Sequence, residues 1–356
     1  MSSKQIFINV SDIAGYINQN KWAIIEVFDR IWKKCDYTGY NSCLNELNNT
    51  ITIKTLDLEV IKNEKLAIDS QLINKKITKR QSTILLEKVK SKEKKLNMEI
   101  KSVFKNIDEI TLTYQEKVQK EIGNELADKI NQVTLETNDK RTTINTAIEK
   151  LDISFQEKET LLAKTESLIN KSHGVIKEDS AIDLFEKQFN VKLDVSQKYN
   201  KKLIKETNFG TYFLGGKCDG INDIDNYVVE VKSRTKGFFS TLRDYEKSQI
   251  QIYMYILDLN SAKLVEYLSS SNKIKVTNIK RDQEYIDNVL DLLGIFIKNF
   301  EKFLNCSDLK MKYIKSSEEN KKEFLKDLYL LEIENYMFKK HQKEQESKVC
   351  LLDDLD

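Results

Sequence analysis

Helix breakers are almost missing from the first half of this chain. The sequence has no proline, and of its 10 glycines only Gly123 falls between Gly39 and Gly174. Without residues that remove a backbone donor or favour positive φ, such a stretch has few places to turn and reads as helix. Apolar residues recur there at three- and four-residue steps: Val103, Ile107, Ile110 and Tyr114, then Ile144, Ile148, Leu151 and Phe155. Lys, Glu, Gln, Asn and Thr fill most other positions. That is the stripe of an amphipathic helix of coiled-coil type, expected over residues 46–170.

From Gly174 the texture changes. Residues 174–190 read as a helix with an apolar stripe of Ile182, Leu184, Phe185 and Phe189. Strand signals follow near 199–205, 211–218 and 226–232, then a helix at 242–258. Strands near 262–268 and 274–280 and a long helix at 282–304 come next. Residues 315–345 form another charged helix, and the end, CLLDDLD, reads as a loose acidic tail. Helix, three strands, helix, strand is an α/β arrangement.

Composition narrows the function classes. The chain has 356 residues, enough for one large domain or two ordinary ones. Lys+Arg 58 against Asp+Glu 56 leaves a net +2, so a nucleic-acid partner needs a local basic patch. The five cysteines, Cys35, Cys43, Cys218, Cys306 and Cys350, form no CxxC pair, and His173 and His341 are isolated. This argues against a zinc site and suits a reducing compartment. The opening MSSKQIFINV has no signal-peptide core, and no apolar run reaches the roughly 18 residues a membrane span needs. The expectation is an intracellular protein of cytoplasm, nucleus or viral factory, not secreted and without a membrane partner.

The chemistry is concentrated in GGKCDGINDIDNYVVEVK, residues 215–232. In a strand, alternate side chains share a face, so Glu230 and Lys232 point the same way. Asp219 ends the preceding strand-like run. If the two strands form a hairpin, two carboxylates and an ammonium converge, and can hold a hard divalent cation that activates a water. The cation is read as Mg²⁺, with Mn²⁺ as a substitute. The carbonyl of Val231 is a third oxygen ligand, and Glu178 reaches the same ion or its water. Lys232 orients or deprotonates the attacking water, and Gln249 positions it. Gln251, two residues on along a helix, points elsewhere. Glu-x-Lys alone is weak in so charged a chain, as Glu93-Lys94-Lys95 shows. The plainer alternative is a strand-edge Glu–Lys pair with Asp219 in a turn.

The set as a whole resembles the PD-(D/E)XK nuclease superfamily, and within it the YqaJ-like viral recombinase group that includes the phage lambda exonuclease. Gly174 and Glu178 match the family's first helix, Cys218-Asp219 its Pro-Asp, and Glu230-Val231-Lys232 its Glu-x-Lys. Gln249-Ile250-Gln251 matches its Gln-x-Gln. Asn9-Val10-Ser11-Asp12-Ile13-Ala14, with Asn20-Lys21-Trp22 and the VFDRIWK run, is similar to its opening segment. Cys218 stands where the motif has Pro, Lys217 where a small residue is usual, and Lys21 where the turn has Pro. The resemblance implies a restriction-endonuclease-like core, a mixed sheet flanked by helices, that hydrolyses phosphodiester bonds in DNA with Mg²⁺. The implied mode is 5′-to-3′ exonuclease action on duplex DNA in recombination, repair or viral genome processing. A structure-specific or single-strand nuclease, or a scaffold with a vestigial core, are the alternatives. Ser11, with Lys4 as the basic companion, corresponds to the 5′-phosphate site, although Ser11-Asp12 also reads as a plain helix cap.

The similarity covers 1–45 and 171–305, which makes 46–170 an insertion that must return to its origin. An antiparallel helical hairpin does so, with its tip near Lys105–Asp108 or at Gly123-Asn124, and arms of about 55 residues reaching roughly 80 Å. The domains are then 1–45, the arm 46–170, the core 171–310 and the C-terminal helix and tail 311–356. The arm projects to grasp DNA or a protein partner, or folds back on the core; a homo-oligomer is a further possibility. Ser233, Arg234 and Lys236 are candidate phosphate contacts, against a solvated loop. Phe238 and Phe239 stack on a base or anchor their loop, and Trp22 and Trp32 are read as core.

Overall fold

In QIFIN, β1 (Gln5–Asn9), alternate residues differ: Ile6 and Ile8 are buried while Phe7 and Asn9 lie on the other face. This strand was not anticipated. It pairs in parallel with β3 (Thr211–Gly216), whose other edge takes β2 (Asn200–Glu206) antiparallel. The order is β1-β3-β2. These assignments come from a computed structural model that describes residues 4–111, 178–234 and 237–353, with a few positions between 146 and 162.

A second sheet has the order β4-β5-β6-β7, with β4 (Gly220–Asn222), β5 (Tyr227–Arg234), β6 (Ser261–Leu268) and β7 (Lys273–Lys280). β5 and β6 are parallel and the outer pairs antiparallel. The hairpin partner of β5 is therefore β4, not the 211–218 run. The chain leaves the first sheet after Gly216 and enters the second at Gly220, so Asp219 sits in the passage between them. The hairpin turn closes on Asn226, at φ 55, with Asn222 Oδ1 accepting the Asp225 N–H at 2.7 Å. Asparagine tolerates that left-handed conformation better than most residues.

β5 is central and covered on both faces, which explains its nearly unbroken apolar run. On one side lies α5 (178–189), whose Ala181, Ile182 and Phe185 pack with Tyr227, Val229, Val231 and Val265. On the other lies α6 (Asp244–Leu257), in contact with β2, β3, β5 and β6. Strand alternation aims Glu230, Lys232 and Arg234 together at α6. The result is a mixed α/β fold.

The chain divides into two compact units, 1–28 with 113–301 and 325–356, and 29–112 with 302–324. The first contains both sheets. It also holds an aromatic cluster in which Phe296 of α7 (Gln283–Leu304) lies 4.5 Å from Tyr16 and 5.3 Å from Tyr329 between ring centroids. Trp22 belongs to this unit but is 91% exposed, in a turn at 20–23 that has no apolar face against it, which corrects its reading as core.

The second unit is mainly α3 (Tyr37–Ile73) and α4 (Lys79–Thr111). They run antiparallel, with Lys54 paired to Glu99 and Lys65 to Glu93. The reversal lies at 74–78, not near Lys105–Asp108, which is inside α4; Gly123-Asn124 lies outside the described residues. Neither Gly nor Pro makes this turn. Lys75 takes φ 54, and Thr78 and Gln81 form a capping box that starts α4. Trp32 is fully buried here, 4.9 Å from Phe303 and 5.9 Å from Tyr313 between ring centroids.

The C-terminal stretch is more broken than expected: α8 (Ser307–Lys315), α9 (Glu318–Leu325), a π turn (Lys326–Leu330) and α10 (Leu331–Asp353). α10 continues into what composition marked as a tail. Among the described residues no helix is long and apolar enough to cross a membrane.

Candidate active site

Both sheets contribute to one open cleft of about 520 Å³. β1 hands over at Asn9 to a 3-10 turn, Val10–Asp12, that carries Ser11 to the rim. The passage 217–219 brings Asp219, β5 supplies Glu230 and Lys232, α6 supplies Gln249, and Glu178 is the first described residue of α5. All five residues assigned chemical roles from the sequence line this cleft, as do Val231 and Ser11.

The charged groups are tightly wired. Glu230 is 3% exposed, and its Oε1 accepts from the Lys232 ammonium and, at 2.7 Å, from Gln249 Nε2. Lys232 Nζ also donates to Gln249 Oε1 at 3.2 Å. Gln249 thus aligns both members of the Glu-x-Lys pair. Glu230 Oε2 is buried and has no hydrogen-bond partner among the described residues. Asp219 Oδ2 accepts the N–H of Val231 at 2.7 Å. Burial, followed by the charge of Asp219, pushes the Glu230 carboxyl up to about 7. Burial pushes Asp219 up to about 6, against the opposing pull of Lys232. Glu178 is raised by burial and then by Glu230, which places its charge within reach of the pair. Burial pulls Lys232 down, but the charges of Glu230 and Asp219 outweigh it and hold the ammonium above its ordinary value. Cys218, at the motif's Pro position, is buried and pushed up to about 12, so its thiol stays neutral.

No group of three His, Cys, Asp or Glu side chains among the described residues is gathered closely enough to hold a metal ion as it stands. The carboxylates are turned instead toward a backbone N–H, an ammonium and an amide. The donor set still suits a hard cation, since it is all oxygen and includes one dehydrated carboxylate oxygen that no described residue pairs with. A buried polar atom without a partner is costly, and a cation at that oxygen removes the cost.

The phosphate candidates divide. Arg234 is not available: it is 9% exposed, and its guanidinium is bound by Glu246 at 2.9 and 3.2 Å and by Glu266 at 2.8 Å. It follows Lys232 by two residues and therefore faces α6, where Glu246 waits one turn before Gln249. Phe239 stacks on it at 4.0 Å and carries Arg243 at 4.4 Å, so this phenylalanine anchors its loop. Lys4 is also misplaced. It lies at the opposite end of β1 from the cleft, about 16 Å from Asn9 along the strand, with its ammonium over the Phe209 ring. Ser233 lines the cleft, but its Oγ is buried without a partner among the described residues. Ser11 is exposed inside the 3-10 turn rather than at a helix cap. Lys236, His173 and Gly174 lie outside the described residues.

Gln251 points away as expected, bridging Lys280 O at 2.8 Å and the Asp282 N–H at 2.9 Å. The sequence reading missed Tyr253 and Tyr199. Tyr253 lines the cleft one turn after Gln249 and donates its hydroxyl to the Lys217 carbonyl; the i, i+4 spacing was the available signal. Tyr199 reaches the cleft from just before β2, and nothing local marks it.

No protein-family model matches the chain, and no curated protein matches it. Solved structures with similarity include an alkaline exonuclease from Laribacter hongkongensis, at 13% identity and TM-score 0.31, over 44% of this chain and 87% of that one. The same exonuclease in complex with dAMP matches at 14% identity and TM-score 0.31, over 44% and 86%. A phage-related exonuclease from Haemophilus somnus 129PT matches at 17% identity and TM-score 0.29, over 49% and 92%.

Proposed function

We propose that this chain is a metal-dependent deoxyribonuclease of the PD-(D/E)XK type. The observation that carries the proposal is the dehydrated Glu230 carboxylate, with one oxygen tied to Lys232 and Gln249 and the other unpartnered, in a cleft shared with Asp219 and Glu178. Asp219, Glu230 and the Val231 carbonyl would hold the ion, read as Mg²⁺ or Mn²⁺, with Glu178 as a further carboxylate for the ion or its water. Bound there, the ion supplies Lewis-acid activation of water and neutralises charge on the scissile phosphate. Lys232 is held above its ordinary pKa. Its ammonium offers a positive donor toward developing phosphate charge, and it orients the attacking water. Gln249 keeps Glu230 and Lys232 in register, and Ser11 offers a hydroxyl to a terminal phosphate at the rim.

The preferred mode is 5′-to-3′ exonuclease action on duplex DNA, with a role in recombination, repair or viral genome processing. The helical segment is proposed as the element that engages DNA or a protein partner. The test is cleavage of end-labelled linear duplex, single strand and closed circle with Mg²⁺. Loss of linear substrate with a surviving circle supports an exonuclease, and Asp219→Ala should abolish it. Absence of metal-dependent cleavage on all three substrates rejects the proposal.

A further inference from the structure

The outer face of sheet β1-β3-β2 has an unusual surface. Phe7 and Phe213 are register partners and stack at 5.5 Å between centroids. Tyr199 meets Phe7 edge-on at 6.2 Å. The Lys201 ammonium lies 4.8 Å from the Phe213 centroid and 5.2 Å from that of Phe7. Lys201 is exposed, and no carboxylate among the described residues pairs with it. Tyr199 and Leu203 remain 42% and 46% exposed. Exposed Tyr199 and Leu203 beside a cation seated on half-buried rings mark a recognition surface rather than a core.

Gly215 makes the surface flat. A Cβ there would lie 2.4 Å from the Tyr199 hydroxyl and 2.7 Å from its Cζ, so the phenol rests directly on the glycine backbone. Gly215 pairs with Asn9 on one side and Lys201 on the other. Asn9 and Tyr199 both line the cleft that contains Asp219 and Glu230. The aromatic face and the cleft are therefore continuous.

We infer that this face is a docking shelf for a single-stranded DNA segment, on which Tyr199 stacks a base and Lys201 holds a phosphate. The inference rests on the nuclease reading for its choice of nucleic acid and deepens it by naming the substrate form. Aromatic rings accept any base on their π-face, and a lysine beside them that no described carboxylate pairs with matches the strand's charge. A paired duplex hides its base faces, so the shelf serves a separated strand leading toward Glu230.

The test measures binding by the full chain, with Ca²⁺ in place of Mg²⁺, to a short labelled single strand and to a blunt duplex of the same sequence. Tyr199→Ala should weaken single-strand binding about tenfold, the size of one lost base–aromatic stack, with duplex binding unchanged. Tyr199→Trp should restore it at an unchanged melting temperature. Lys201→Gln should reduce the salt dependence of single-strand binding by about 0.7 in log–log slope. The shelf is overturned if Tyr199→Ala and Lys201→Gln bind the single strand as wild type does, or if both probes weaken equally. It is also overturned if Tyr199→Ala changes only the oligomeric mass, which would make the face a contact between copies. Intact, Tyr199-dependent strand binding without Mg²⁺-dependent cleavage supports the shelf and removes the nuclease reading.

Discussion

Replacing Glu230 by Gln should make the protein more stable, increasingly so as pH rises. Glu230 is 3% exposed, and burial raises its carboxyl from 4.5 to about 7. A carboxyl raised in the folded state binds its proton more tightly there than in the unfolded chain. Stability tied to the neutral form is fully present below 4.5 and is lost as pH passes through about 7. At ~1.4 kcal/mol per pKa unit the full cost approaches about 3 kcal/mol, of which about 2 kcal/mol develops between pH 5 and 8. Gln keeps the size and a carbonyl for Lys232 but carries no charge. Asp219, pushed up to about 6, titrates in the same window and its charge helps raise Glu230, so the pH-dependent difference reports the coupled pair of carboxyls. The assay is urea unfolding without metal at several pH values. The variant's advantage should grow by about 2 kcal/mol from pH 5 to pH 8. Millimolar Mg²⁺ should then stabilise wild type at pH 8 and leave the variant nearly unmoved. A pH-independent difference, or one that shrinks toward pH 8, would show that Glu230 is not the dehydrated carboxylate described here.

Asp219→Ala should abolish cleavage and also the Mg²⁺-induced rise in melting temperature, read by scanning calorimetry. Arg234→Ala leaves Glu246 and Glu266 buried without their common partner and should cost about 3–5 kcal/mol in urea unfolding; a change below 1 kcal/mol would refute its role as an anchor. Thr78→Ala removes the capping box of α4 and should cost about 1 kcal/mol, seen as faster hydrogen exchange at the start of that helix. Ser11→Ala should equalise cleavage rates on 5′-phosphorylated and 5′-hydroxyl ends; an undiminished preference would discard its proposed contact.

Some assignments were legible because they depend on local periodicity. Glu230 and Lys232 share a face by strand alternation, and Gln249 and Gln251 separate because two helical steps turn the chain by more than half a circle. The same alternation puts Arg234 on the face of Glu230 and Lys232, without saying what covers that face. Its charge suggested a surface role, and only the position of Glu246 and Glu266 shows otherwise. Trp22 was read as core from its side chain alone, although a turn has no periodic face to bury. The reversal at 74–78 escaped notice because it uses Lys75 at positive φ instead of glycine, yet Thr78-Lys79-Arg80-Gln81 carried the capping signal.

The amino-acid order by itself determined the helical character of 37–73, 79–111, 244–257 and 283–304, the strands at 200–206, 211–216, 227–234, 261–268 and 273–280, and the shared face of Glu230 and Lys232, because these follow from the period of side chains along a backbone. Tertiary structure decided which strands pair, how the 217–219 passage joins two sheets, and that Tyr199 lies over Gly215 beside the cleft. It also decided which charges are dehydrated. A carboxylate's pKa depends on what surrounds it in space, and residues from β1, α5, β5 and α6 meet at Glu230 only after the chain has folded.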